Sequence, residues 1–201
     1  RTTDCPRHSC TLKPSPAESS TDLLGSQILS ALAEHGVTGE LVRAVDHVIS
    51  PGVEADMGGD DQWPTLREKV HAADILVLLT PTWMGQQSSV AQRVLERLDA
   101  ELSETDDAGR PILFDKVALA GIVGNEDGAH HIAAILFQSL NDVGYSVPAQ
   151  ASVYWNGEAM QTVDYKDLDE TPEKVAQATA TAARNAARLA GLLKADGYPA
   201  E

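Results

Sequence analysis

The chain has 201 residues, 43% of them hydrophobic, which is enough apolar material for one domain with a buried core and argues against disorder. Its formal net charge is −15, so it repels phosphate backbones and anionic lipids, and nucleic acid and acidic membranes are poor candidate partners. The same charge fits solubility alone or electrostatic steering of a partner. We expect a single domain over 1–201 that ends in a tail over 195–201. Whether residues 1–9 form regular secondary structure stays open.

Two cysteines, Cys5 and Cys10, flank His8 near the start of the sequence. A disulfide framework needs more cysteines in a shorter chain, and an iron–sulfur cluster usually needs four thiolates. A metal site built from these three side chains lacks a fourth ligand nearby. No apolar run reaches the roughly 18–20 residues of a membrane span, and no signal peptide opens the sequence, so a cytoplasmic location is the default expectation.

Strand and helix signals alternate along the chain. The first candidate strand, 4–12, is poorly patterned because a buried central strand should be rich in Val, Ile and Leu, and this one contains Arg7 and His8. The elements expected after it are a helix over 20–35, a strand over 40–48, a helix over 63–73, a strand over 75–79, a helix over 88–102, a strand over 117–123, a helix over 128–143, a strand over 146–155 and a helix over 171–193.

The apolar runs at 75–79 and 117–123 are typical of strands buried on both faces, so the alternation predicts a parallel sheet covered by helices on both sides. The acidic stretch 101–107 is predicted to be a solvated loop. In sheets of this kind, ligands bind beyond the carboxyl ends of the strands. Three loops at that edge carry unusual residues, and we expect them to converge.

The first loop, 11–21, combines several hydroxyl side chains with Lys13 and opens a helix. Helix N-termini present free N–H groups and a partial positive charge, so they attract phosphate. An ordinary capped helix after a Pro-rich turn would look the same. Neither a P-loop nor a Rossmann glycine fingerprint is present at this position.

The second loop, 80–88, follows the clearest strand and contains a proline, a tryptophan, a methionine and a glycine in succession. This composition suits a stiff apolar ledge beside a flat aromatic ring such as isoalloxazine, with backbone N–H groups in reach of the ring atoms. The alternative is that Trp83 and Met84 form a hydrophobic plug under the next helix.

The third loop, 124–131, has glycines on both sides of an Asn-Glu-Asp run, which favours a turn and a close approach of backbone to a ligand. His130 and His131 point about 100° apart on a helix and would not chelate a metal together easily, so a packed or ligand-edge role is favoured. Glu126 and Asp127 could be an acid–base pair, although no partner supports it.

Trp155, with Tyr154, ends the last predicted strand on the same side of the sheet. It could form a wall of this pocket or of a neighbouring subunit's pocket. A core or interface aromatic is the simpler alternative.

These segments resemble the flavodoxin-like NAD(P)H-dependent FMN reductases and quinone reductases, over about residues 10–193 and most specifically in 80–85, 88–89 and 124–129. The resemblance implies a three-layer α/β/α doubly wound sandwich with a five-stranded parallel sheet in the order 2-1-3-4-5. It also implies FMN held by the three loops, at Thr11, Lys13, Ser19, Ser20, Thr21, Pro81, Thr82, Trp83, Met84, Gly85, Gly124, Asn125 and Gly128. The usual Gly-Ser-x-Arg opening of the first loop is replaced here by residues 10–13, Cys-Thr-Leu-Lys, and the loop is a few residues longer.

The resemblance further implies an oxidoreductase that passes hydride from NAD(P)H through FMN to a small acceptor such as a quinone or a flavin, in a homodimer or homotetramer. The flavin would carry the chemistry, so we predict neither a catalytic side chain nor a metal ligand. Two other functions stay open: a flavodoxin-type electron carrier whose acidic surface docks basic partners, and a binding module that has kept the fold without the flavin.

Overall fold

The computed structural model describes residues 3–199, so both ends of the predicted 1–201 span lie outside the described residues. The strands are β1 (Thr3–Ser9), β2 (Val37–Arg43), β3 (Ile75–Trp83), β4 (Gln86–Gln87), β5 (Val117–Gly124) and β6 (Ser152–Asn156). The α-helices are α1 (Ser20–Ala33), α2 (Trp63–Ala72), α3 (Ser89–Leu98), α4 (Ala129–Asp142) and α5 (Glu173–Ala195), and short 3-10 helices cover Ala44–Asp46, Asp99–Ser103 and Tyr165–Asp167.

Five of the strands form one parallel sheet in the order β2-β1-β3-β5-β6. The two-residue strand β4, which was not predicted, folds back antiparallel onto the end of β3. If β4 is left out of the numbering, the order is the predicted 2-1-3-4-5. Helices α1 and α5 cover one face of the sheet, and α2, α3 and α4 cover the other, so the doubly wound three-layer architecture is confirmed.

The apolar run in β3 packs against the helices on both faces of the sheet. Leu76 and Leu78 belong to the core beneath α2–α4, whereas Ile75, Val77 and Leu79 belong to the core beneath α1 and α5. Successive side chains of a strand point to opposite faces, so a strand covered on both sides has no polar alternation. The prediction from this pattern is confirmed.

The first strand forms despite its poor pattern and covers Thr3–Ser9; the rest of the expected 4–12 segment leads into the first loop. It pairs with β2 along its whole length but with β3 only over Arg7–Ser9. Pro6, which has no N–H to donate, therefore lies before the pairing with β3 begins. Backbone hydrogen bonds to β2 and β3 hold this strand in the sheet, although its side chains lack the usual apolar pattern.

His8 is fully buried near the carboxyl end of this strand, and neither ring nitrogen has a hydrogen-bond partner among the described residues. Burial, assisted by the charges of His47 and Lys69 and opposed by Glu40, lowers the pKa of His8 to about 4. The imidazole is therefore neutral near pH 7 and packs as an uncharged ring.

The prediction that the acidic stretch 101–107 is a solvated loop is wrong at Glu101. The side chain of Glu101 is fully buried, where its carboxylate accepts a hydrogen bond from Arg67 Nε at 2.6 Å and pairs with His71 Nε2 at 2.5 Å. Burial raises the pKa of Glu101, but the hydrogen bonds from His71 and Arg67 outweigh it and hold the pKa below its usual value. A buried carboxylate is tolerated here because both oxygens are paired.

Strands β2 and β6 also differ in extent from the predicted ones. β2 ends at Arg43, not at residue 48, because 44–46 turn into a 3-10 helix. β6 begins at Ser152, not at residue 146, since Pro148 interrupts the segment and Gln150 has a φ of +61°. Ser146 makes only an isolated bridge to Val117.

The side chains of Cys5 and Cys10 are both buried, and they lie in different cores. Cys5 packs with the α1 and α5 layer, and Cys10 with the α2–α4 layer. The sheet thus separates the two sulfur atoms, and they do not contribute to a common metal site. Within residues 3–199, none of the helices is both long enough and apolar enough to cross a membrane.

Candidate functional site

A cavity of about 450 Å³ opens at the carboxyl edge of the sheet, where all three predicted loops meet. Its volume falls in the range of roughly 300–1,000 Å³ that is typical of small-molecule sites. The predicted site residues that line it are Thr11, Lys13, Ser19, Ser20, Thr21, Pro81, Thr82, Trp83, Gly124 and Asn125.

One end of the cavity is polar and is formed by the first turn of α1 and the loop before it. Ser19 caps the helix, because its Oγ accepts from the backbone N–H of Asp22 at 3.4 Å. Thr11, Ser19 and Thr21 are buried, whereas Lys13 is exposed. A helix N-terminus surrounded by hydroxyls and an ammonium group is suited to an anion such as phosphate.

Ser88 joins the first loop to the second. Its Oγ donates to the carbonyl of Cys10 at 2.6 Å, and its N–H donates to Oγ1 of Thr80 at 3.0 Å. The N–H of Cys10 in turn donates to the carbonyl of Leu79 at 2.8 Å. These bonds fix the start of the polar end relative to the apolar ledge.

The ledge belongs to β3 itself, which continues through Trp83 instead of ending at residue 79 as predicted. Trp83 is 54% exposed at the cavity, and Thr82 is buried. The Thr82 hydroxyl has no hydrogen-bond partner among the described residues. Buried hydroxyls are normally satisfied, so this one has an unused hydrogen-bonding capacity beside the cavity, beneath Gly124.

Three predicted residues lie beside the cavity instead of lining it. Met84 is 90% exposed, and its N–H donates to Oε1 of Glu126 at 2.7 Å. Gly128 has a φ of +129°, and a Cβ placed on it would lie 2.8 Å from the Cα of Gly85. The third loop therefore packs directly on the β3–β4 turn, and contact of Met84, Gly85 and Gly128 with a cofactor stays a prediction.

A fourth wall comes from β6 and the segment after it, and of its residues only Trp155 was expected from the sequence. This segment contributes Ala159, Met160, Asp164 and Tyr165, and β6 contributes Trp155. The Trp155 and Tyr165 rings lie 5.5 Å apart between centroids. Trp155 thus lines the cavity as expected, and the aromatic pair Tyr154–Trp155 at the end of the last strand was the available signal.

Hydrogen bonds hold this fourth wall against the other elements. Gly157 donates its N–H to the carbonyl of Gly124 at 2.7 Å, and Asn125 Nδ2 donates to Oδ1 of Asp164 at 2.9 Å. The Tyr165 hydroxyl donates to Oε1 of Gln27 at 2.6 Å. Burial raises the pKa of Tyr165, although its hydrogen bonds with Thr171 and Gln27 act in the opposite direction. The phenol is therefore neutral near pH 7.

The two adjacent histidines bind neighbours on different elements. Nε2 of His130 lies 3.0 Å from the Tyr154 hydroxyl, and Nε2 of His131 lies 3.1 Å from Oε1 of Gln86. They brace α4 against β6 and β4. Between residues 3 and 199, no group of three or more His, Cys, Asp or Glu side chains is arranged to hold a metal ion.

The cavity therefore has two chemically different ends. A hydroxyl-rich helix N-terminus suits a phosphate, and an apolar part with Pro81, Trp83, Val123, Trp155 and Tyr165 suits a planar conjugated ring. Leu12 and Glu126 also line it. This combination matches a phosphorylated flat cofactor.

Comparison with known proteins agrees with this geometry. Residues 12–159 match the family model described as NADPH-dependent FMN reductase. An 8-demethyl-8-aminoriboflavin-5'-phosphate synthase from Streptomyces davaonensis is 37% identical over 158 residues, which are 74% of this chain and 62% of that protein. A divalent metal cation transporter MntH from Mycobacterium bovis is 42% identical over 161 residues, which are 78% of this chain but 24% of that protein.

The chain thus spans less than two thirds of the length of these curated relatives. Among solved structures, RosB with bound 8-demethyl-8-formylriboflavin-5'-phosphate superposes with a TM-score of 0.88 and 31% identity, covering 98% of this chain and 82% of that chain. A flavone reductase shares the fold at a TM-score of 0.70 and 15% identity, covering 98% and 66% of the two chains. By the match over residues 12–159, the chain belongs to the NADPH-dependent FMN reductase family.

Proposed function

We propose that this chain is an FMN-dependent oxidoreductase that passes hydride from NAD(P)H through bound FMN to a small acceptor such as a quinone or a free flavin. The observation that carries the proposal is the single cavity of about 450 Å³ that joins a hydroxyl-rich helix N-terminus to an aromatic wall. Membership of the FMN reductase family supports it. We also keep the predictions of a single domain, a homo-oligomer and a cytoplasmic location as proposals.

The residues present fit FMN. Thr11, Lys13 and the first turn of α1, Ser19–Thr21, would hold the phosphate, and the ring would lie along Pro81–Trp83 and Gly124–Asn125. The hydroxyl of Thr82 is buried without a partner among the described residues, and a polar atom of the ring would reach it once the side chain turns toward the cavity. When bound, FMN supplies the redox chemistry, since it accepts hydride and passes electrons on.

The protein itself would bind, orient and enclose the FMN. The bonds of Ser88 to the first and second loops hold the two ends of the site at a fixed separation. Trp155 and Tyr165 form a wall that keeps water from one side of the cavity. Trp83, more than half exposed, leaves an apolar surface at the mouth where a second planar substrate could stack.

The proposal is tested by a spectrum and a turnover assay on the purified protein. FMN binding should give flavin bands near roughly 370 and 450 nm, and NAD(P)H should be oxidised when a quinone is added. A protein that binds FMN but does not oxidise NAD(P)H would be an electron carrier of the flavodoxin type. A protein that stays colourless after incubation with FMN would contradict the proposal altogether.

A second candidate function is chemical modification of the flavin itself, with FMN as substrate and not as resident cofactor. It is favoured by the 37% identity to an aminoriboflavin phosphate synthase and by the TM-score of 0.88 to a structure that holds a formylriboflavin phosphate. The two candidates predict different fates for FMN. After aerobic incubation of the protein with FMN, liquid chromatography with mass detection should recover FMN unchanged if it is a cofactor, and a flavin of altered mass if it is a substrate.

A further inference from the structure

A residue that is not among the predicted site residues binds the first loop through hydrogen bonds. Arg43, the last residue of β2, sends Nη1 to two carbonyl oxygens of the loop: that of Lys13 at 3.0 Å and that of Ala17 at 2.9 Å. Its side chain is 11% exposed, whereas the two loop residues that accept these bonds are exposed. One guanidinium nitrogen therefore fixes two points of the loop that are four residues apart.

The other edge of the same guanidinium binds the first turn of α1. Arg43 Nε donates to Oδ2 of Asp22 at 2.9 Å, and Nη2 contacts the same oxygen. The second oxygen, Oδ1, accepts from the hydroxyl of Ser9 at the end of β1. Arg43 thus connects the loop, the helix start and the carboxyl end of β1 through one planar group. A planar fork of donors is suited to several acceptors at fixed angles, whereas an ammonium is not.

A further contact holds the loop between those two carbonyls. Both the N–H and the hydroxyl of Ser15 donate to the carboxylate of Asp46, at 2.8 and 2.5 Å, and the hydroxyl bond is the main cause of a lowered pKa of Asp46. Asp46 lies in the 3-10 helix directly after Arg43. The last residue of β2 and the 3-10 helix after it therefore hold the loop at residues 13, 15 and 17.

These contacts determine where the anion-binding groups lie. Lys13 is on one side of the loop, and the hydroxyls of Ser19 and Ser20 are on the other side, at the helix N-terminus. Fixing the carbonyls of Lys13 and Ala17 fixes the separation between the Lys13 backbone and the start of α1, and so limits where the ammonium group can lie. Arg43 also neutralises the Asp22 carboxylate, which would otherwise repel an anion in the first turn of α1.

We propose that Arg43 is a positioning residue for the 5'-phosphate of FMN: it does not touch the phosphate, but it sets the loop that does. The inference rests on the proposed function, because it presumes that the site binds FMN. It predicts a specific signature, since riboflavin has the same ring system and ribityl chain but no phosphate. Loss of Arg43 should weaken FMN binding and leave riboflavin binding nearly unchanged.

The test is fluorescence-quenching titration of the apoprotein with FMN and with riboflavin. For Arg43→Met, we expect the Kd of FMN to rise at least tenfold and that of riboflavin to change less than twofold. Arg43→Lys, which keeps the charge but not the fork, should fall between wild type and Arg43→Met for FMN. The matched control is Arg110→Met: Arg110 is bound to two carboxylates and one carbonyl, where Arg43 is bound to one carboxylate and two carbonyls, and it lies in the loop before β5, away from the cavity. It should alter neither affinity.

A second variant separates positioning from simple charge neutralisation. If Asp22 repulsion were the whole effect, Asp22→Asn in the Arg43→Met background would restore FMN binding, and the positioning role would be overturned. We expect no restoration. Equal weakening of FMN and riboflavin would likewise overturn the inference, because it would show general damage to the fold.

The two proposals fail in different ways. If wild type binds FMN but Arg43→Met keeps the wild-type ratio of FMN to riboflavin affinity, only the inference about Arg43 fails. If wild type binds neither flavin, the proposed function fails and the inference fails with it.

Discussion

The side-chain amide of Asn125 donates a hydrogen bond of 2.9 Å to Oδ1 of Asp164, 39 residues further along the chain. This bond ties the third loop to the segment after β6, and both line the cavity. We expect Asp164→Ala to loosen that wall and raise the Kd for FMN and for riboflavin about equally, by roughly fivefold, since one hydrogen bond is worth about 1 kcal/mol. Titration with both flavins measures this, and the exposed Asp169→Ala is the matched control.

Thr82→Val should affect stability and binding in opposite directions. The hydroxyl of Thr82 is buried without a partner among the described residues, so replacing it with a methyl group should stabilise the apoprotein by about 1 kcal/mol. The same change should weaken FMN binding by up to about tenfold if the bound ring turns this hydroxyl toward the cavity and forms a hydrogen bond with it. Thermal unfolding of the apoprotein and a flavin titration measure the two effects. An apoprotein that is less stable than wild type would show that the hydroxyl already has a partner.

Gly128→Ala should destabilise the protein by about 2 kcal/mol or more. The residue has a φ of +129°, and the new Cβ would lie 2.8 Å from the Cα of Gly85, so the third loop would have to move away from the β3–β4 turn. Urea denaturation measures the change. Gly191→Ala is the control: this glycine is exposed in α5, a Cβ added to it would have no neighbour within 4 Å, and alanine there should stabilise by about 0.5–1 kcal/mol.

Buried His8 should make stability depend on pH. Its pKa is about 4 in the folded protein and 6.5 for the free side chain, so the unfolded chain takes up the proton first. Stability should fall as the pH drops from about 6.5 to 4, by up to about 3 kcal/mol, and this contribution should level off below pH 4.

The measurement for His8 is the free energy of unfolding across this pH range, for wild type and for His8→Leu. The difference between the two curves isolates His8 from the carboxylates that also titrate. A constant difference from pH 7 to pH 4 would mean that the pKa of His8 is the same in the folded and the unfolded protein, and would contradict the prediction.

The convergence of the three loops could be predicted because it follows from local pattern and topology. The apolar run at 75–79 identifies a buried parallel strand, and the ends of parallel strands meet at one edge. The fourth wall could not be predicted in the same way. The segment from residue 157 to 164 has no periodic pattern, and its position depends on bonds to Gly124 and Asn125 that are formed only in the folded chain.

The burial of Glu101 could not be predicted from the sequence for a similar reason. Glu101 lies in an acidic run, which usually indicates solvent, but its partners Arg67 and His71 come from another helix 34 and 30 residues earlier. Arg43 was missed as well, because nothing near it in sequence marks it as a neighbour of the first loop. Long-range ion pairs decide the burial of these groups, and they leave no local signature.

The separation of Cys5 and Cys10 by the sheet gives the protein two internal reporters of unfolding. Each thiol is fully buried, one in each half of the core, so a thiol-reactive reagent reaches either sulfur only when its own layer opens. Alkylation in mild denaturant, followed by peptide mass mapping, would therefore show whether the two helical layers come apart together or one before the other.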